Sequence, residues 1–90
     1  MTDPYDVCFV ESFELDLLIP PEKVARAAIE AASRLAENPR PPQCRKLCGT
    51  DTGYRIRVEG HDVFYSVNDE ARSITVYHLV HFRESTAPAA

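Results

Sequence analysis

From Gly53 to Tyr65 the chain alternates in character. Tyr54, Ile56 and Val58 interleave with Arg55, Arg57 and Glu59, and after Gly60 an apolar run resumes at Val63-Phe64-Tyr65. Successive side chains of a strand point to opposite faces. The pattern therefore predicts two β-strands about a tight turn, with one apolar face. Arg55 and Arg57 then share the other face, their Cα atoms about 7 Å apart. Two guanidinium groups at that spacing suit a phosphate backbone better than a lone surface charge does.

The flanking segments supply the remaining elements. Tyr5 to Val10 is rich in strand formers, with Cys8 as a small buried candidate. Phe13 to Ile19 satisfies both periods: Phe13, Leu15, Leu17 and Ile19 alternate, while Phe13 and Leu17 also form an i, i+4 pair. The clearest helix runs from Pro21 to Glu37. Proline suits its first position, Val24, Ala28, Ala31 and Leu35 form an apolar stripe, and Asn38-Pro39 stops it. Glu22 with Arg26 and Glu30 with Arg34 are i, i+4 ion pairs on that helix. Arg40 to Thr52 reads as a proline-containing loop anchored at Leu47. Asn68 to Arg72 reads as a polar turn, and Ser73 to Val80 as a last strand with Ile74, Val76 and Val80 on one face. Three strands joined by short turns make an antiparallel meander, and the helix must cover one of its faces.

Ninety residues predict one small domain, and residues 86–90, without periodicity, are expected to form a frayed tail. No apolar run reaches membrane-spanning length, and the acidic start, Met1 to Asp6, lacks the basic and apolar regions of a signal peptide. The expected location is the cytoplasm, without membrane association. The three cysteines fit reduced thiols there. Cys44-x-x-x-Cys48 with Cys8 and a histidine lacks the paired spacing of zinc knuckles, so neither metal nor cofactor is expected. The net charge of −4 argues against a generic nucleic-acid binder, but residues 40–57 carry a net of +4 within an acidic chain. Position therefore matters more than the total.

The order of elements, with Arg-Lys-Leu-x-Gly at Arg45 to Gly49, Gly-Tyr-Arg-Ile-Arg-Val at Gly53 to Val58, Val-Phe-Tyr-Ser-Val at Val63 to Val67 and Ile-Thr-Val-Tyr-His-Leu-Val-His-Phe-Arg-Glu at Ile74 to Glu84, resembles the RelE/ParE toxin superfamily. The likeness spans roughly Tyr5 to Glu84. It implies an α+β fold: a small four-stranded, mainly meander antiparallel sheet packed against an N-terminal helical hairpin. Ser12 to Leu18 is accordingly read as helical. It also implies a toxin held by a cognate antitoxin, as a homodimer or a hetero-oligomer with that antitoxin. The expected activity is the one the resemblance to RelE-like members implies, ribosome-dependent messenger RNA cleavage by a metal-independent endoribonuclease that inhibits translation. The alternatives are inhibition of DNA gyrase, as in ParE-like members, and a catalytically weak antitoxin-binding module.

RNA cleavage without a metal needs help for the attacking 2′-hydroxyl, protonation of the leaving oxygen, and cations around the phosphate. The resemblance places Arg55, Arg57 and Arg83 as the cations, on one concave surface, and Arg45 and Lys46 as further RNA contacts. His81 is the candidate for proton transfer, since histidine titrates near neutrality. His78 reads as structural, and His61 lies at the turn into its strand. The chain departs from the superfamily pattern at Asp62, where RelE-like members carry an arginine. It departs again at Cys48, where a basic residue is usual, and in its tail, where Thr86 to Ala90 lack a tyrosine.

Overall fold

The computed structural model describes residues 4–81. These form β1 (Asp6–Phe9), α1 (Glu11–Asp16), α2 (Glu22–Arg34), β2 (Cys44–Lys46), β3 (Gly53–Val58), β4 (His61–Asn68) and β5 (Ser73–His81). The strands make one five-stranded sheet in the order β1-β5-β4-β3-β2. Pairing is antiparallel from β2 through β5, and β1 joins β5 in parallel.

The α+β architecture stands, but the four-stranded antiparallel sheet is corrected to five strands of mixed direction. The additional strand is β2, inside the expected loop. Two of its three residues, Arg45 and Lys46, are charged, so it carries no alternation of its own. Only the ladder to β3 defines it, with Cys44, Arg45 and Lys46 opposite Ile56, Arg55 and Tyr54. Short, charged edge strands of this kind also resist further pairing.

The helices cover one face of the sheet. Phe13 of α1 and Ala28 and Ala32 of α2, with Leu35 just beyond it, pack on Ile56, Val63, Tyr65, Val67, Ile74, Val76 and Leu79. Ala32, not Ala31, completes the buried helical stripe; Ala31 is half-buried beside it. Both expected i, i+4 ion pairs form, Glu22–Arg26 at 2.9 Å and Glu30–Arg34 at 3.0 Å. Both are well exposed, so each contributes only about 0.3–0.5 kcal/mol.

Two local features set the geometry of the sheet. Val58 pairs with His61, so the β3–β4 turn has two residues, Glu59 and Gly60, at φ 49° and 76°. Positive φ at both positions is what a type I′ hairpin turn requires. In β5 the register shifts: Phe64 faces His78 while Tyr65 faces Val76, leaving Tyr77 as a bulge residue. Beyond the bulge the parity of β5 reverses. Leu79 is therefore buried and Val80 exposed, opposite to simple alternation. Cys8 is exposed instead of buried, because β1 is an outer strand.

β1 stops short of the end of β5, and α1 covers the rest of that edge. Ser12 Oγ donates to the Tyr77 carbonyl at 2.8 Å, and the Leu79 N–H donates to Asp16 Oδ2 at 3.0 Å. These side chains, one turn apart on α1, replace the missing neighbour strand. Among the described residues no helix is long and apolar enough to cross a membrane.

Candidate functional site

The face away from the helices is the candidate surface. Arg45 lies opposite Arg55, Arg55 opposite Phe64, and Arg57 opposite Asp62, which lies opposite Val80. Residues directly opposite in an antiparallel ladder share a face. The alternate residues Ile56, Val63 and Tyr65 belong to the core on the other side. Arg45, Arg55 and Arg57 thus line up on the open face of two neighbouring strands.

Asp62 sits among them, only 8% exposed. Its Oδ1 accepts from Arg57 Nε at 2.7 Å and lies 3.5 Å from Arg55 Nη1. Two like charges directly opposite, as at Arg45 and Arg55, disfavour pairing; a carboxylate from the third strand offsets that repulsion. The same face carries Tyr77, whose hydroxyl lies 3.2 Å from Ser66 Oγ. Sequence reasoning passed over Tyr77, since an aromatic residue in a strand is more often packing than chemistry.

His78, opposite Phe64, belongs to the open face at its β5 edge, whereas His61 and His81 lie elsewhere. His61 pairs with His81, their ring centroids 4.8 Å apart, and Val58, which packs against the core, pairs with His61. By the same parity both rings are on the helix side of the sheet. They line a groove with Pro20, Ile19 and Asp16. His61 Nδ1 is 3.0 Å from the Glu59 carbonyl, and His78 Nδ1 is 3.1 Å from Asp16 Oδ2. His81 is therefore not brought together with Arg55 and Arg57; the sheet stands between them. Lys46 likewise faces the helix side, opposite Tyr54, while Arg45 faces the open side. Neighbouring residues on a strand cannot reach one surface. Arg83 lies outside the described residues.

Arg40, the first cation of the basic segment, serves the fold. Its guanidinium bridges Asp69 at 2.9 Å and 3.3 Å, donates to the Tyr54 hydroxyl at 2.9 Å, and lies 5.3 Å from the Tyr54 ring centroid. Tyr5 donates to the same carboxylate at 2.6 Å. Arg40 and then Tyr5 hold the Asp69 carboxyl below its ordinary value, and the bond to Asp69 pushes the Arg40 and Tyr5 groups up. Arg45 and Lys46 are exposed and enter no ion pair among the described residues. No group of three or more histidine, cysteine or carboxylate side chains there is placed to hold a metal ion.

Comparison with known proteins follows the same outline. Residues 14–85 match the family described as the ParE toxin of type II toxin–antitoxin systems. Among solved structures, the chain is similar to the archaeal RelE–RelB complex from Pyrococcus horikoshii, with 26% identity, TM-score 0.80, and coverage of 91% of this chain and 99% of that one. The isolated E. coli RelE toxin matches with 23% identity, TM-score 0.76, and coverage of 91% and 88%. The RelBE2 toxin–antitoxin complex from Mycobacterium tuberculosis matches with 22% identity, TM-score 0.75, and coverage of 87% and 98%. At identities this low the last two speak to the fold alone. No curated protein sequence matches.

Proposed function

The chain belongs to the family of ParE toxins of type II toxin–antitoxin systems, and from that premise we propose that it acts in the cytoplasm by docking on a protein target, DNA gyrase, and is held inactive by a cognate antitoxin. One observation carries the choice of target. The sheet separates His81, the candidate for proton transfer, from Arg55 and Arg57, the candidates for holding phosphate. Metal-independent RNA cleavage needs both functions within hydrogen-bond reach of one phosphate. Inhibition by docking needs neither.

Ribosome-dependent messenger RNA cleavage is the second reading. It is favoured by the row of Arg45, Arg55 and Arg57 on the open face, with Tyr77 on the same side. The experiment that separates the two is induction of the chain in cells, followed by primer extension on abundant messages and a DNA supercoiling assay with purified gyrase. Loss of supercoiling with intact messages is expected. Cuts phased to ribosomal codons, with supercoiling unaffected, would replace the first reading by the second.

The antitoxin follows from the family, and RelE–RelB and RelBE complexes are among the similar structures. The exposed Arg45 and the apolar Leu18 and Ile19, 79% and 82% exposed at the end of the α1 segment, are surfaces for such a partner to cover.

A further inference from the structure

Two arginines on one strand face, with a carboxylate between them on the next strand, form a complete anion site. The clamp that Arg55 and Arg57 offer a phosphate is the same fork chemistry that they offer a carboxylate. Here the chain supplies the carboxylate itself. Asp62 is almost buried, its register partner is Arg57, and both guanidinium groups converge on its Oδ1. We infer that Asp62 is a built-in substitute for a phosphate: it fills the Arg55–Arg57 site and is the specificity residue that keeps nucleic acid off the open face. This rests on the reading above, in which that face is not an RNA-cutting site, and it names the residue responsible.

Two effects keep a phosphate diester out. A phosphate diester entering between Arg55 and Arg57 would meet a second anion inside a partly dehydrated site, where like charges repel more strongly than in water. It would also have to replace a 2.7 Å charge-assisted bond whose donor and acceptor the β3–β4 ladder already holds in register. A preformed internal bond costs no loss of translational freedom, whereas an external ligand bears that cost. Arg45 remains exposed on the same face, but a single cation at a sheet edge gives only weak, non-specific attraction.

The test is binding of a fluorescein-labelled single-stranded RNA of about 12 nucleotides, followed by anisotropy over a salt series, with the full chain made by cell-free synthesis. Asp62→Asn keeps the shape and an acceptor oxygen but removes the charge. It should bind at least tenfold tighter than the wild-type chain. Its log–log salt slope should be steeper by about 1.4, the value for two added phosphate contacts to a single strand. Equal affinity and equal slope for the two proteins would overturn the inference. Should Asp62→Asn fail to fold by circular dichroism, the wild-type chain decides alone. A Kd weaker than about 100 µM near physiological salt, at the weak end of non-specific binding, supports the inference, and a tighter one overturns it. Naked RNA binding is independent of the gyrase assay. A chain that excludes RNA but leaves supercoiling untouched would sink the proposed target and leave the role of Asp62 standing.

Discussion

At the scale of single residues, the sharpest electrostatic arrangements belong to the fold. Tyr65 is 1% exposed, stacks on Tyr54, and donates its hydroxyl to the Pro39 carbonyl at 2.8 Å. Burial pushes its phenol up, with the contact to Cys44 adding to the effect. A group whose folded value is raised contributes stability that is complete below its unfolded value, about 10 for tyrosine. That contribution is lost as pH rises from there through the folded value. Tyr65→Phe should therefore lower stability near neutrality by about 1 kcal/mol, the net worth of one hydrogen bond, a fall of roughly 4–8 °C in Tm for a chain of this size. It should also flatten the alkaline limb; urea midpoints at neutral and strongly alkaline pH would show both effects. Asp69 behaves in the opposite sense. Its carboxyl is held low by Arg40 and Tyr5, so its contribution is present above about pH 3.9 and is lost as pH falls through the lower folded value. Asp69→Asn should remove that part of the acid limb, and an acid titration that is identical for variant and wild type would refute the assignment.

At the scale of elements, the hairpin turn and the sheet edge carry testable consequences. Glu59 occupies a left-handed position at φ 49°, ahead of Gly60 at 76°. Glutamate bears the steric cost of that conformation, whereas Asn-Gly is the pair that type I′ turns prefer. Glu59→Asn should stabilise the chain by about 1 kcal/mol, the lower end of the left-handed penalty, and thermal melts would show a higher Tm. The β5 edge beyond β1 depends on α1. Replacing Asp16 with Ala leaves the Leu79 N–H without its 3.0 Å acceptor. The expected loss is about 1.5–3 kcal/mol for a hydrogen bond to a charged group, together with concentration-dependent association through the newly opened edge. Light scattering that stays monomeric at high concentration would show that Ser12 and the rest of α1 cover the edge without Asp16.

At the scale of the whole molecule, charge is distributed against its total. The chain carries −4, while residues 40–57 carry +4. Within that segment Arg40 is bound to Asp69 and Arg55 and Arg57 to Asp62, which leaves Arg45 and Lys46 outward on opposite faces. Arg45→Glu should slow association with the co-purified antitoxin several-fold at low salt, with the difference fading as salt screens it, since rim charges act mainly on the rate of encounter. Stopped-flow rates insensitive to both the substitution and the salt would place the antitoxin elsewhere. Much of this molecule was legible in one dimension. The Gly53–Val58 alternation, the α2 stripe (apart from Ala31) with its ion pairs, and the shared face of Arg55 and Arg57 all follow from periods of two and 3.6 residues, which the chain expresses within a few positions. The superfamily resemblance rested on those same segments. Other features came only from pairing distant segments: β2 as a strand, β1 running parallel to β5, the Tyr77 bulge that reverses the parity of Leu79 and Val80, the sheet that parts His81 from the arginines, and the closure of Arg55 and Arg57 on Asp62. The physical reason is the same in each case. A strand's own residues set which side chains share a face, but its register, its partner and the face that the helices cover are decided by contacts that exist only after the chain has folded.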